Sequence, residues 1–220
     1  MNADSRGYSL SSCLDVFPDL RVSAFIRGQI CLMKTEIHDG SILLRPYRAE
    51  DIEVLFAAVR ESLNELSRWM PWCHAGYAIE ETRDFILRMV QTEGEGTDYA
   101  LGIFDESSGL FLGGTGLNQI SQLHRHGNLG YWVRTSAAGR GVATNAARLA
   151  ARFGFESLGL NRIEILAAVD NLPSQRVAAK LGAQREGILR RRLWLQGRAH
   201  DAVMHSLVRE ELEELAAEKS

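Results

Sequence analysis

The sequence predicts an α+β domain in α/β/α layers, with a mixed, largely antiparallel sheet of about seven strands flanked by helices. Three observations carry this. Apolar runs joined by short Gly-containing turns recur as hairpins, at Asp98–Phe104 with Leu110–Ile120 and at Gly187–Leu195 with Ala199–Val208. Segments with apolar residues at 3- and 4-residue spacing read as amphipathic helices. Between Leu129 and Gly182 the chain reads strand, glycine turn, helix, strand, helix, in contrast to the antiparallel-looking strands before it.

In order along the chain, Ile42-Leu-Leu-Arg-Pro46 is a first strand. Asp51 to Trp69 is one helix, with Ile52, Leu55, Phe56, Val59, Leu63 and Leu66 on its apolar face. Ile79 to Val90 is a second helix, followed by the first hairpin, which turns at Glu106-Ser-Ser-Gly109. Leu129-Gly-Tyr-Trp-Val-Arg134 is a strand, Ala138-Gly-Arg-Gly-Val-Ala143 a turn, and Thr144 to Arg152 a helix. Asn161 to Val169 is the next strand. Asp170-Asn-Leu-Pro-Ser174 opens another helix: Pro173 suits its first turn, Asn171 or Leu172 its cap, and Gly182 its C-terminal stop. The second hairpin turns at Gln196-Gly197-Arg198, and Glu210 to Lys219 read as a charged, solvated terminal helix.

A chain of 220 residues with 45% hydrophobic residues holds one well-buried domain, or one domain plus an arm. The formal net charge of −3 offers no global basic field, so nucleic acid is not an expected partner. Cys13, Cys31 and Cys73 are an odd count without metal-type spacing; no disulfide framework and no metal site are expected, and a reducing cytoplasm fits. No apolar run approaches the ~20 residues of a membrane span. Leu10-Ser-Ser-Cys13 resembles a lipoprotein cleavage site, but polar Asn2, Asp4, Ser5 and Arg6 stand where an apolar region belongs, so export is not expected. Residues 1–32 form an extension of unassigned role, whether an arm, an element added to a homodimer, or residues upstream of the true start.

Gly139 and Gly141 flank Arg140 at a strand-to-helix junction. Such a turn aims several N–H groups into one concavity ahead of a helix N-terminus, which suits a phosphate or pyrophosphate. A nucleotide-hydrolysing P-loop requires Lys-Ser/Thr after its last glycine, where Val142-Ala143 stands. A dinucleotide fingerprint requires three glycines early in a βαβ unit, and only two fit. A plain left-handed turn remains the bland alternative.

The turn Gly-Arg-Gly-Val-Ala-Thr144, followed by Asn171-Leu-Pro-Ser174-Gln-Arg-Val-Ala-Ala-Lys180-Leu-Gly182, resembles the GNAT superfamily of acyl-CoA-dependent N-acetyltransferases. Leu43-Leu-Arg-Pro-Tyr-Arg-Ala-Glu-Asp51, Trp69-Met-Pro-Trp72 and Gly197-Arg-Ala-His-Asp201 extend the likeness to its RimJ/RimL-type branch, over about Met33 to Arg209. The resemblance implies a GNAT domain at 33–209 whose central parallel strands splay. It also implies acetyl-CoA as co-substrate, with no metal, and a cytoplasmic amine acetyltransferase.

By the same resemblance, the backbone of Ala138, Gly139, Arg140, Gly141, Val142, Ala143 and Thr144 takes the pyrophosphate. The strand backbone of Tyr131, Trp132 and Val133 takes the pantetheine, their side chains being ordinary core and face residues. Asn171 lies near the pantetheine and Ser174 near the thioester sulfur as proton donor, although both residues also suit helix capping. Two positions depart from the pattern. Ala138 replaces a Gln or Arg, and Leu193 stands where several members of the branch carry a glutamate base. The candidate bases are therefore His200, His124 and His126, with Asp201 fixing the last hairpin. Trp69 and Trp72 line the acceptor mouth or pack the first helix. The acceptor implied is a protein N-terminal or small-molecule α-amine, attacked directly in a ternary complex; the alternative is a CoA-binding module that has lost catalysis.

Overall fold

The computed structural model describes residues 36–91 and 97–212. The extension at 1–32, with Cys13 and Cys31, and the end of the expected terminal helix lie outside them; residues 209–212 form one helical turn. Among the described residues, eight strands make one sheet: β1 (Ile37–His38), β2 (Ile42–Pro46), β3 (Tyr99–Asp105), β4 (Phe111–Ser121), β5 (His126–Val133), β6 (Arg162–Ala168), β7 (Gln184–Leu195) and β8 (Arg198–Leu207). Their order is β1-β2-β3-β4-β5-β6-β8-β7. The count exceeds seven because the two residues of β1 pair with Leu43 and Leu44. All neighbours are antiparallel except β5 and β6.

Among the described residues, five helices longer than a single turn cover the two faces: α1 (Ile52–Glu61), α2 (Leu63–Trp69), α3 (Ile79–Gln91), α4 (Val142–Glu156) and α5 (Leu172–Lys180). On one face, α4 lays the small side chains Ala146, Ala147, Ala150 and Ala151 against the sheet, close enough to bury Leu117, Leu129 and Ile163 to 2% exposure or less. The other face packs α1 to α3 over Tyr47, Phe104, Phe111 and Trp132. Each fully buried Leu, Ile or Phe contributes roughly 1.5–3 kcal/mol before chain entropy is set against it.

The single helix expected over Asp51–Trp69 is broken. Ser62, fully buried, leaves helical geometry at φ −105° and ψ 13°. Its hydroxyl accepts the N–H of Thr135 at 2.9 Å, so a tertiary contact overrides an apolar pattern that runs through without interruption.

Candidate active site

The parallel pair is a fork. β5 and β6 are hydrogen-bonded only through His126–Asn128 against Arg162–Glu164. Beyond that, β5 continues along β4 as far as Val133 and β6 along β8 as far as Ala168, each paired on its outer side alone. Gly130 to Val133 therefore turn one backbone edge into the gap, and an extended amide-bearing chain fits such an edge as an added strand does.

The glycine turn stands at the mouth of the fork. Gly139 and Gly141 take φ +76° and +83°, the left-handed region that only glycine enters freely, and a Cβ at either would meet open space. Gly141 is the N-cap of α4, and the first helical hydrogen bond runs from Asn145 N to Gly141 O at 3.0 Å. The N–H groups of Val142, Ala143 and Thr144 thus precede the helical ladder, in a first turn without an acidic residue. Ala138 is extended and its N–H already bonds Thr135 O at 3.1 Å, so Ala138 has no N–H to offer a ligand. Arg140 is exposed beside it.

The segment leading into the turn is clamped by the end of α1. Arg134 Nε donates to Glu61 Oε2 at 2.9 Å, its Nη2 contacts the same oxygen, and Ser136 N donates to Glu61 Oε1 at 2.8 Å. These bonds, that to Arg134 foremost, hold the Glu61 carboxyl down at about 2. Thr135 adds Oγ1 to Glu65 at 3.2 Å.

At the carboxyl end of β6, Asn171 caps α5: its Oδ1 accepts Ser174 N at 3.2 Å. Gln175 anchors the same turn by donating to Ala168 O and Val169 O at 3.1 and 2.9 Å. Across the fork, the Tyr131 hydroxyl donates to Ser174 O at 3.0 Å and lies 3.1 Å from Ser174 Oγ. Burial pushes the Tyr131 phenol up to about 12, against a smaller opposing effect of Ser174. The side chain of Tyr131, expected to be mere packing, thus reaches from one arm of the fork to the other. At the base of the fork Asn128 Nδ2 donates to Asn118 Oδ1 at 3.0 Å, and Asn128 Oδ1 is buried without a partner among the described residues.

The histidine candidates separate. His124 and His126 stack on each other at 6.2 Å, but they sit where the fork is closed, His126 being roughly 17 Å along β5 from Tyr131 at ~3.3 Å per residue. His200 lies on β8 directly opposite Leu193, so the two side chains share a face. Arg198 Nε donates to His200 Nε2 at 3.1 Å. Asp201 fixes the hairpin, accepting Arg191 N at 2.8 Å.

Trp72 is 41% exposed and meets the Trp132 ring edge-on at 6.1 Å, whereas Trp69 is half-buried at the end of α2. Beside them a groove of about 230 Å³ lies between α2 and the β7–β8 turn, lined by Ser67, Met70, Pro71, Cys73, His74, Leu195 and Gln196. Gln196 Nε2 bridges to Ser67 O at 2.8 Å. Burial pushes the Cys73 thiol up, which keeps it protonated. Among the described residues no group of three or more His, Cys, Asp or Glu is placed to hold a metal ion, and no helix is long and apolar enough to cross a membrane.

Sequence reasoning missed Glu61, Asn128, Gln175 and the Tyr131 hydroxyl. Each acts across 6 to 75 residues of sequence, and no local motif marks such partners.

Residues 41–184 match the acetyltransferase (GNAT) domain family. The chain is 30% identical over 175 residues to the Bacillus subtilis protein named "Putative ribosomal N-acetyltransferase YdaF", spanning 78% of this chain and 93% of that one. It is 26% identical over 164 residues to the spermidine N(1)-acetyltransferase of Escherichia coli K12, spanning 74% and 83%. In fold it is similar to Mycobacterium smegmatis RimJ, solved in complex with CoA-disulfide, with a TM-score of 0.74 at 24% identity over 84% of this chain and 93% of that one. The family match covers the fork, the glycine turn and the start of α5 together, and the chain accordingly belongs to the GNAT family of N-acetyltransferases, in its RimJ/RimL-like branch.

Proposed function

We propose that the protein transfers the acetyl group of acetyl-CoA to the α-amine of a polypeptide N-terminus, by direct attack in a ternary complex. The observation that carries this is the fork: an open backbone edge at Gly130–Val133 between an anion cradle at its mouth and the Tyr131–Ser174 pair on its walls. The pyrophosphate takes the N–H groups from Gly139 to Thr144, with Arg140 at the rim. The pantetheine amides pair with the strand edge, as main-chain groups do in strand addition, and this places the thioester between the arms.

The amine nitrogen attacks the thioester carbonyl carbon, and the carbon–sulfur bond breaks as the tetrahedral intermediate collapses. Ser174 supplies a proton to the departing thiolate, directly or through one water. A thiolate with a pKa near 8.5 is already a fair leaving group, so this donor contributes on the order of tenfold to a hundredfold. Tyr131, whose phenol holds its proton, donates to the Ser174 main-chain carbonyl and so fixes the turn that carries the Ser174 hydroxyl. The proton lost by the amine passes through water to His200, which faces the position of the absent glutamate and whose Nε2 becomes available when the Arg198 side chain that donates to it swings away. Cys73, protonated and buried, is not suited to form an acyl-enzyme.

A base-poor site favours an amine that is already neutral. An α-amine of pKa near 7.8 is roughly 15% neutral at pH 7, whereas a lysine of pKa near 10.4 is neutral to only ~0.04%. Competing peptides that offer either a free N-terminus or an internal lysine test this, with CoA thiol release as the readout. Faster acetylation of the lysine peptide at pH 7 refutes the preference, and no release above hydrolysis with any amine refutes transfer.

A further inference from the structure

We propose that a bulge of three consecutive arginines on β7 docks an acidic segment of the acceptor, just downstream of the N-terminus that is acetylated. The inference rests on the reading of the acceptor as a polypeptide. In the β7–β8 ladder Leu189 pairs with Ala202 and Leu193 with His200, so Arg190, Arg191 and Arg192 together oppose Asp201 alone. Arg191 takes φ +51°, and its N–H is held by Asp201 Oδ1 at 2.8 Å. The strand is pushed outward there, and all three arginines are exposed. Among the described residues neither Arg190 nor Arg192 forms an ion pair.

The bulge stands at the working end of the sheet. Ala202 pairs with Ala168 and Asp201 O accepts Val169 N at 3.1 Å, which sets the arginines level with the carboxyl end of β6, where Asn171 and Ser174 follow. One strand, β8, intervenes, a lateral distance of roughly 10 Å. An extended peptide advancing ~3.3 Å per residue from the fork brings roughly its third to sixth residues over the bulge. Leu195 and Gln196 continue the same strand and turn into the groove, and exposed Trp194 and Ile188 flank the arginines with apolar surface. A positive row on a chain of net charge −3 complements carboxylates, and it opposes both a polyamine and, through the chain's overall sign, a phosphate backbone.

Two peptides with the same first two residues, carrying at positions three to six either Glu and Asp or Ser and Gly, test the idea. For the native protein kcat/KM should favour the acidic peptide by roughly tenfold at low salt, in KM more than kcat, and the preference should shrink toward unity at 0.5 M salt. An Arg190→Gln/Arg192→Gln variant should lose the preference while acetylating the neutral peptide at the native rate. Its Arg190→Lys/Arg192→Lys counterpart should keep most of it. Equal kcat/KM for the two peptides with the native protein overturns the docking surface and leaves the α-amine reading standing. An RNA oligonucleotide that binds through the arginines, with no effect of peptide acidity, assigns the bulge to nucleic acid and likewise overturns it. Acetylation of spermidine but of neither peptide overturns both readings.

Discussion

Replacing Glu61 with Gln should loosen the segment that delivers the glycine turn. The carboxylate receives Arg134 and Ser136 N from residues 73 and 75 positions away, and Gln keeps the shape while losing the charge. A carboxyl held at about 2 rather than 4.5 corresponds to about 3 kcal/mol of preference for the ionised form, at 1.36 kcal/mol per decade. With 29% of the side chain exposed, solvent screening reduces this to about 1–2 kcal/mol, or roughly 3–6 °C in Tm for a domain of this size. Because the folded value lies below the unfolded one, the stabilisation is fully present above pH 4.5 and is lost as pH falls through the folded value of about 2. Native and Glu61→Gln proteins should therefore differ in urea midpoint at pH 7 and converge progressively below pH 4.5, with CoA affinity by calorimetry weakened severalfold in the variant. Equal stability and equal CoA affinity at pH 7 would show that the clamp holds nothing, and a difference that grows on acidification would reverse the sign of the argument.

Three further outcomes follow from the site. Gly141→Val places a β-branched side chain at φ +83° in the space the pyrophosphate would use, so CoA binding should vanish by calorimetry while circular dichroism stays native; native affinity would remove the cradle from the site. Ser174→Ala should lower kcat roughly tenfold to a hundredfold with KM for acetyl-CoA little changed, and Tyr131→Phe should lower kcat less, with no added effect in the Ser174→Ala background. Additive losses would mean that Tyr131 does not act through Ser174. Leu193→Glu, which restores a carboxylate opposite His200, should raise lysine-peptide acetylation at pH 7 relative to the N-terminal peptide; an unchanged ratio would dissociate acceptor choice from the missing base.

The parts of the site legible in the sequence are those whose causes are local. Pro173 in the first turn, the Asn171 cap and the two left-handed glycines each follow from the backbone preferences of a few adjacent residues, and the structure holds them where those preferences put them. The break at Ser62 was not legible, because its hydroxyl is claimed by Thr135, 73 residues away, while the apolar spacing on either side continues without a fault. The Tyr131–Ser174 contact spans 43 residues and crosses a gap between strands that only the assembled sheet defines. His200 could be named a candidate from its turn, but its position opposite Leu193 is a matter of register, set by a bulge with no Gly or Pro to announce it.

The fork makes half of this site out of main chain, and main chain is common to every sequence. Substitutions along Gly130–Val133 leave the peptide groups in place as long as the backbone path holds, so cofactor recognition of the kind proposed above is sheltered from sequence drift. The opposite half, the groove and the β7–β8 hairpin, is written in side chains and is free to diverge. The two halves meet at the thioester but share few residues, which makes the enzyme modular. A new acceptor specificity therefore calls for exchanging residues 67–74 together with the β7–β8 hairpin, with the fork left intact.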